Sequence, residues 1–150
     1  MKNTRKLRRV KPTPSIVKNA LFNILGDIKD LVFLDLFAGT GQIGLEAEKR
    51  GAQVIFIEKS KSLTDKIKHK TSGKVIRADV LKALEKLSVK PHIIFADPPY
   101  SFENYDLLIE KALKVLIEGG VFILEHDKRK RFSPDEERIY GDTVLSLWRK

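Results

Sequence analysis

The stretch from Leu31 to Ala47 constrains the fold more than any other part of the chain. Leu31 to Leu36 is an apolar run containing β-branched and aromatic residues, and it reads as a buried parallel strand. The run breaks at a glycine-rich turn and resumes as Ile43, Leu45 and Ala47, the pattern of a helix packing back on the sheet. Gly39, Gly41 and Gly44 reproduce the G-x-G-x-x-G spacing. In such a turn the backbone admits a ligand closely, and the third glycine lets helix meet strand. The spacing alone serves several nucleotide cofactors.

Asp35 narrows the choice. It falls where the strand ends, beside the mouth of the turn. A pyrophosphate there wants backbone N–H groups and a helix N-terminus, with no carboxylate nearby. A ligand carrying an ammonium and a sulfonium is attracted by that carboxylate instead, and S-adenosyl-L-methionine is such a ligand. The structural alternative is that Asp35 caps the turn through backbone contacts.

The whole chain fits one domain. Its 150 residues suffice for a sizeable core, and 42% hydrophobic with 33% charged residues is a globular composition. No apolar run has the length of a membrane span, and the basic N-terminus lacks the apolar segment of a secretory signal, so the expected location is cytoplasmic. With no cysteine, disulfides, thiolate metal sites and a cysteine nucleophile are excluded, and His69, His92 and His126 form no metal-spacing motif. The net charge of +9 favours a polyanionic partner, with nucleic acid the commonest. Two clusters concentrate it. Lys2, Arg5, Lys6, Arg8, Arg9 and Lys11 load an arm at residues 1–12, ahead of a domain at 13–150, and Lys128, Arg129, Lys130 and Arg131 form a second run.

In chain order, Thr13-Pro14 starts a helix whose apolar positions run from Ile16 to Leu25 before Gly26 stops it. Val54 to Ile57 is a second strand ending in Glu58, followed by a lysine-rich helix over 60–70 and a short strand over 74–77. Asp79 opens a further helix, His92 to Ala96 is a fourth strand, and 105–117 is a helix before Gly119-Gly120. Val121 to Glu125 is a fifth strand, and Gly141-Asp142 joins a closing hairpin. Strands alternating with helices predict a mostly parallel, twisted α/β sheet of Rossmann-like type, helices on both faces, with an antiparallel hairpin at the end.

Ligands of such sheets bind beyond the carboxyl ends of the strands. Asp35, Glu58, Asp79 and Asp97 all fall at or just past such ends. Glu58 suits a ribose diol or else is a solvated strand end, and Asp79 suits an adenine amine or else a helix N-cap. Asp97-Pro98-Pro99-Tyr100 is the more specific signal. Two prolines remove two N–H donors and hold the backbone extended, which aims carbonyl oxygens and the Asp97 carboxylate into a cleft. That site suits a planar group with an exocyclic amine, stacked on an aromatic ring. The alternative is a rigid turn with Tyr100 in the core.

Asp35 to Gly41 together with Asp97 to Tyr100 resembles the amino-methyltransferases that use S-adenosyl-L-methionine. Adding Lys11-Pro12-Thr13, Ala20 to Leu25 and Phe37 to Ala47, the chain resembles the RsmD family, which methylates a guanine N2 in bacterial 16S ribosomal RNA. The resemblance covers nearly the whole chain. Two features depart from it: Lys11 stands where the family usually has Arg, and the N-terminal extension is shorter. The resemblance implies a cofactor site of Asp35, Phe37, Ala38, Gly39, Gly41, Glu58, Lys59, Asp79 and Val80. It implies catalysis by Asp97, Pro98 and Tyr100, with Pro99 and Tyr100 holding the base. RNA contacts fall to Arg8, Arg9, Lys11 and the 128–131 run, and the expected state is a metal-free monomer acting on 16S rRNA in the small ribosomal subunit. Three alternatives stay open at this point: an adenine-N6 methyltransferase, an NAD-dependent oxidoreductase, and an RNA-binding module without catalysis.

Overall fold

The computed structural model describes residues 15–150. The expected helix start at Thr13-Pro14 and the basic residues Arg8, Arg9 and Lys11 lie outside the described residues. Helix α1 (Ser15–Leu25) leads into β1 (Val32–Leu36), α2 (Gln42–Lys49), β2 (Gln53–Glu58), α3 (Lys61–Lys68) and β3 (Lys74–Arg77). Then come α4 (Val80–Lys86), β4 (Ile93–Ala96), α5 (Tyr105–Val115), β5 (Val121–Asp127), β6 (Glu136–Tyr140) and β7 (Thr143–Arg149).

The seven strands form one sheet in the order β3-β2-β1-β4-β5-β7-β6. The first five strands pair parallel, and β7 pairs antiparallel with both β5 and β6. The closing hairpin is therefore inserted with its second strand inward. Tyr140 and Thr143 face each other across Gly141-Asp142, and Gly141 at φ +61° supplies the positive dihedral that a two-residue turn demands at its first central position. Strand order reverses between β1 and β4, the switch point where such sheets open a ligand crevice.

Alternation along the strands divides the core in two. Phe33, Val54, Phe56, Ile93, Phe95 and Ile123 pack with α1, α2 and α3 on one face. Leu34, Leu36, Ile57, Ile94, Phe122 and Leu124 pack with α4 and α5 on the other. Every residue of β4 is buried, as a central parallel strand covered on both faces requires. Helix boundaries move slightly from the sequence pattern: α5 stops at Val115 because Leu116 turns extended, two residues earlier than expected.

Candidate active site

The cleft above the switch point is built by one repeated pattern. Phe33, Phe56 and Phe95 are almost wholly buried on the same face, and two residues later in each strand comes an acid: Asp35, Glu58 and Asp97. With a period of two, each acid points to the side its phenylalanine occupies. Asp35 pairs in register with both Phe56 and Phe95, so Glu58 and Asp97 each stand one same-face step farther along. Three carboxylates thus converge at the carboxyl ends of three adjacent strands.

Asp35 is only 2% exposed, and its Oδ2 accepts the Gly44 N–H at 3.0 Å. Burial pushes its carboxyl well above the usual carboxylate range; the Gly44 bond opposes this, and the charges of Asp97 and Glu58 add to it. Gly44 makes the contact possible, because a Cβ there would stand 2.3 Å from the Phe56 ring and 2.9 Å from Asp35 Oδ2. Asp35 thus does cap the helix start, as its structural alternative required, while also lining the cleft.

Glu58 ties the two loops together. Its Oε1 accepts from Gly39 N–H and its Oε2 from Ser60 N–H, both at 2.8 Å. A carboxylate offers about four acceptor positions, so two remain for a further pair of hydroxyls. Between β1 and Gly39 the chain passes through Phe37 at φ +58°, an unusual conformation for a bulky aromatic residue. The bend is held by Ala38 N–H donating to Ile57 O at 3.0 Å and by the Phe37 ring meeting Phe102 edge-on at 5.1 Å. Asp79 is the N-cap of α4, accepting from Lys82 N–H at 3.2 Å, and its exposed carboxylate sits on the cleft rim beside the buried Val80.

The remaining sequence-derived residues divide clearly. Phe37, Ala38, Gly39, Lys59 and the whole Asp97-Pro98-Pro99-Tyr100 segment line the cleft, as do Lys128, Arg129 and Lys130. Gly41 does not: it lies behind the turn, where a Cβ would meet Ile67 at 3.1 Å, a packing reason for glycine at that position. Arg131 is exposed and stands outside the cleft lining. Tyr100 is 52% exposed, which removes the reading that it belongs to the core. Pro98 is buried, and the Pro99 carbonyl accepts from Phe102 N–H at 3.0 Å, closing the turn that presents Tyr100.

Sequence patterns missed the cleft's aromatic wall. Phe102 meets Tyr105 at 5.1 Å, Tyr105 meets Phe132 at 5.3 Å, and Phe132 meets the buried His126 edge-on at 4.8 Å. His126 Nε2 is 2.7 Å from Ser146 Oγ across β5 and β7. Burial and the Asp97 charge push the Tyr105 hydroxyl above its ordinary range. The Lys130 ammonium sits 5.1 Å above the Tyr105 ring, a cation–π contact. The cleft volume is about 1840 Å³, beyond the 300–1,000 Å³ typical of a single small ligand. It has room for a cofactor and a base together.

A family model described as "Conserved hypothetical protein 95" matches residues 2–149. The ribosomal RNA small subunit methyltransferase D of Buchnera aphidicola subsp. Acyrthosiphon pisum is 35% identical over 136 residues, 81% of this chain and 69% of that protein. The chain belongs to the RsmD family. A hypothetical protein of Thermus thermophilus superposes with a TM-score of 0.86 at 27% identity, covering 94% of this chain and 89% of that one. The T. thermophilus 16S rRNA N2 G1207 methyltransferase, solved with AdoMet and guanosine, has a TM-score of 0.79 over 94% of this chain and 43% of its own, at 20% identity, a likeness of fold.

RsmD membership removes the NAD-oxidoreductase reading, and S-adenosyl-L-methionine is the cofactor of these Rossmann-like methyltransferases. The donor set fits that cofactor. A buried carboxylate pushed toward protonation, with two more carboxylates close by, is completed by a cation and repelled by a pyrophosphate. Among the described residues there is no group of three or more His, Asp or Glu able to hold a metal ion, and no helix long and apolar enough to cross a membrane.

Proposed function

We propose that this chain transfers a methyl group from S-adenosyl-L-methionine to the exocyclic N2 of a guanine in 16S ribosomal RNA, in the cytoplasm, on an assembling or assembled small ribosomal subunit. The carrying observation is the Asp97-Pro98-Pro99-Tyr100 segment at the end of β4, directly across the switch point from Asp35, in one cleft with an exposed Tyr100 ring.

In this reading Asp35 receives the ammonium of the methionine end, with Phe37, Ala38 and Gly39 shaping the turn around it. Glu58 takes the ribose diol beside Lys59, and Asp79 takes the adenine amine over Val80. The cofactor supplies an electrophilic methyl on sulfur. A guanine N2 lone pair is delocalised into the ring, so the protein must improve it as a nucleophile. Asp97 and the Pro98 carbonyl accept the two N–H bonds, favouring a pyramidal nitrogen whose lone pair faces the methyl. When bound, S-adenosyl-L-methionine would supply the methyl and its sulfur would keep the C–S electron pair as the N–C bond forms, and Asp97 would take the proton that N2 releases. Pro99 and Tyr100 stack on the base, which must be unpaired or flipped to reach the cleft.

Single-turnover transfer from labelled S-adenosyl-L-methionine to 30S particles tests this. Asp97→Ala is expected to retain cofactor affinity and to lose about 10²-fold or more in rate, the scale for removing an oriented group from the reacting centre. Wild-type rates in Asp97→Ala would reduce the segment to a structural turn. Nucleoside analysis of the product distinguishes N2-methylguanosine from N6-methyladenosine, and the latter would overturn the guanine assignment.

A further inference from the structure

Charge is unevenly distributed over this surface. Residues 59–90, from the end of β2 through α3, β3 and α4, carry nine lysines and Arg77 against Asp65, Asp79 and Glu85, a net +7. The rest of the described chain, residues 15–58 and 91–150, carries 13 cations against 17 acidic residues, a net −4. All ten cations of 59–90 are exposed. Among the described residues, Lys61 alone of them has an ion-pair partner, Asp65 at 2.9 Å. Elsewhere, among the described residues, seven of the 13 cations have an ion-pair partner: Lys128 pairs with Asp142, Arg129 with Asp127, Arg138 and Arg149 share Glu136, and Lys18, Arg50 and Lys111 are also paired.

The topology gathers these uncompensated charges into one surface. β3 is the edge strand of the sheet. Ile67 of α3 packs into the core on one face and Leu84 of α4 into the core on the other, so the cations wrap around the edge. Edge strands commonly use lysine to discourage pairing with other strands, which accounts for Lys74 and Arg77. The other eight cations are not on that strand. The surface starts at the cleft itself, where Lys59 and Asp79 form part of the rim. From β4 to β3 is three strand spacings, about 14 Å. That is about four nucleotides at the 3.4 Å rise of a stacked strand.

We propose that the α3–β3–α4 edge grips the phosphates of RNA flanking the target base, so that the substrate strand crosses the cofactor end of the cleft. The choice of RNA as the polyanion rests on the methyltransferase reading above. Each lysine displaces a condensed counterion when it meets a phosphate, so the contribution of the surface is read directly from salt dependence.

The test uses transcribed 16S rRNA and three proteins: the wild type, the edge variant Lys61→Gln/Arg77→Gln/Lys82→Gln, whose positions open α3, end β3 and open α4 at the cleft end of the edge, and a control of equal charge change, Lys29→Gln/Lys49→Gln/Lys114→Gln. Loss of three phosphate contacts is expected to lower the slope of log affinity against log salt by about two to three in the edge variant and to leave the control near wild type. S-adenosyl-L-methionine affinity and melting temperature should match in all three. Equal slopes in edge variant and control, with the wild type still methylating RNA, would overturn this proposal and leave the methyltransferase reading intact. A wild type that neither binds nor methylates RNA would overturn both. Salt-sensitive binding to anionic lipid vesicles in place of RNA would also overturn it.

Discussion

Gly44→Ala sets two general rules against each other, and the structure decides between them. Gly44 lies within α2, where alanine normally stabilises by about 1 kcal/mol through helix propensity. Here the added Cβ would sit 2.3 Å and 2.9 Å from two carbons of the Phe56 ring. Carbon contacts are best near 3.5–4.0 Å, so ring and helix must separate by roughly 1 Å. Phe56 is fully buried in β2 between β1 and β3, so the ring has no open space to swing into. Overpacking of that kind costs about 1–3 kcal/mol. The same shift pulls Gly44 N–H from Asp35, and a hydrogen bond to a charged group contributes about 1.5–3 kcal/mol. Net of the propensity gain, the variant should lose about 3 kcal/mol, a drop of roughly 6–12 °C in melting temperature for a chain of this size. Urea denaturation and calorimetry measure it, and cofactor affinity should fall as well because Asp35 is displaced. A Gly44→Ala protein as stable as wild type would refute the packing argument and leave Gly44 an ordinary helix residue.

Asp35→Asn should do the opposite in the ligand-free protein. Burial holds the folded Asp35 carboxyl above its ordinary 3.8, so the folded state binds more protons than the unfolded state from that value up to the raised one, and stability falls as pH rises through the interval. Asparagine keeps an acceptor for Gly44 N–H and removes that fall; urea titrations at about pH 4 and about pH 8 should show the variant gaining on wild type at the higher pH, while cofactor affinity drops about tenfold or more. Tyr100→Ala should weaken RNA capture by about 1–3 kcal/mol of stacking, with Tyr100→Phe close to wild type and cofactor affinity unchanged in both, as equilibrium titrations would measure. Weakened cofactor binding in Tyr100→Ala would place that ring in the other half of the cleft.

Local chemistry explains what the sequence made legible. The strand, glycine turn and helix from Leu31 to Ala47 could be read because each depends on neighbours within a few residues. The strands were legible as short apolar runs, and the closing turn through Gly141. The position of β7 between β5 and β6 was not, since it depends on pairing between residues about 20 apart, such as His126 with Val144. That pairing also carries β5 two residues beyond Glu125, to Asp127. The aromatic wall was invisible for the same reason: Phe37, Phe102 and Phe132 share no period and are joined only across the fold, Phe37 to Phe102 and Phe102 through Tyr105 to Phe132.

One long-range feature did leave a local trace. Phe33-Leu34-Asp35, Phe56-Ile57-Glu58 and Phe95-Ala96-Asp97 each place an acid two residues after a buried ring, at the carboxyl end of a parallel strand. A phenylalanine on the helix-covered face fixes the parity of its strand, because slipping one residue would turn the ring out and the acid away. The core therefore aims the site. Hydrophobic packing on α1, α2 and α3 determines that Asp35, Glu58 and Asp97 share a side, and the sheet order β2-β1-β4 sets them side by side. Carboxylates brought together in this way, one of them buried, are unfavourable until a cation joins them. On the proposed function, the stability given up by burying Asp35 is what would draw a positively charged methyl donor to the switch point.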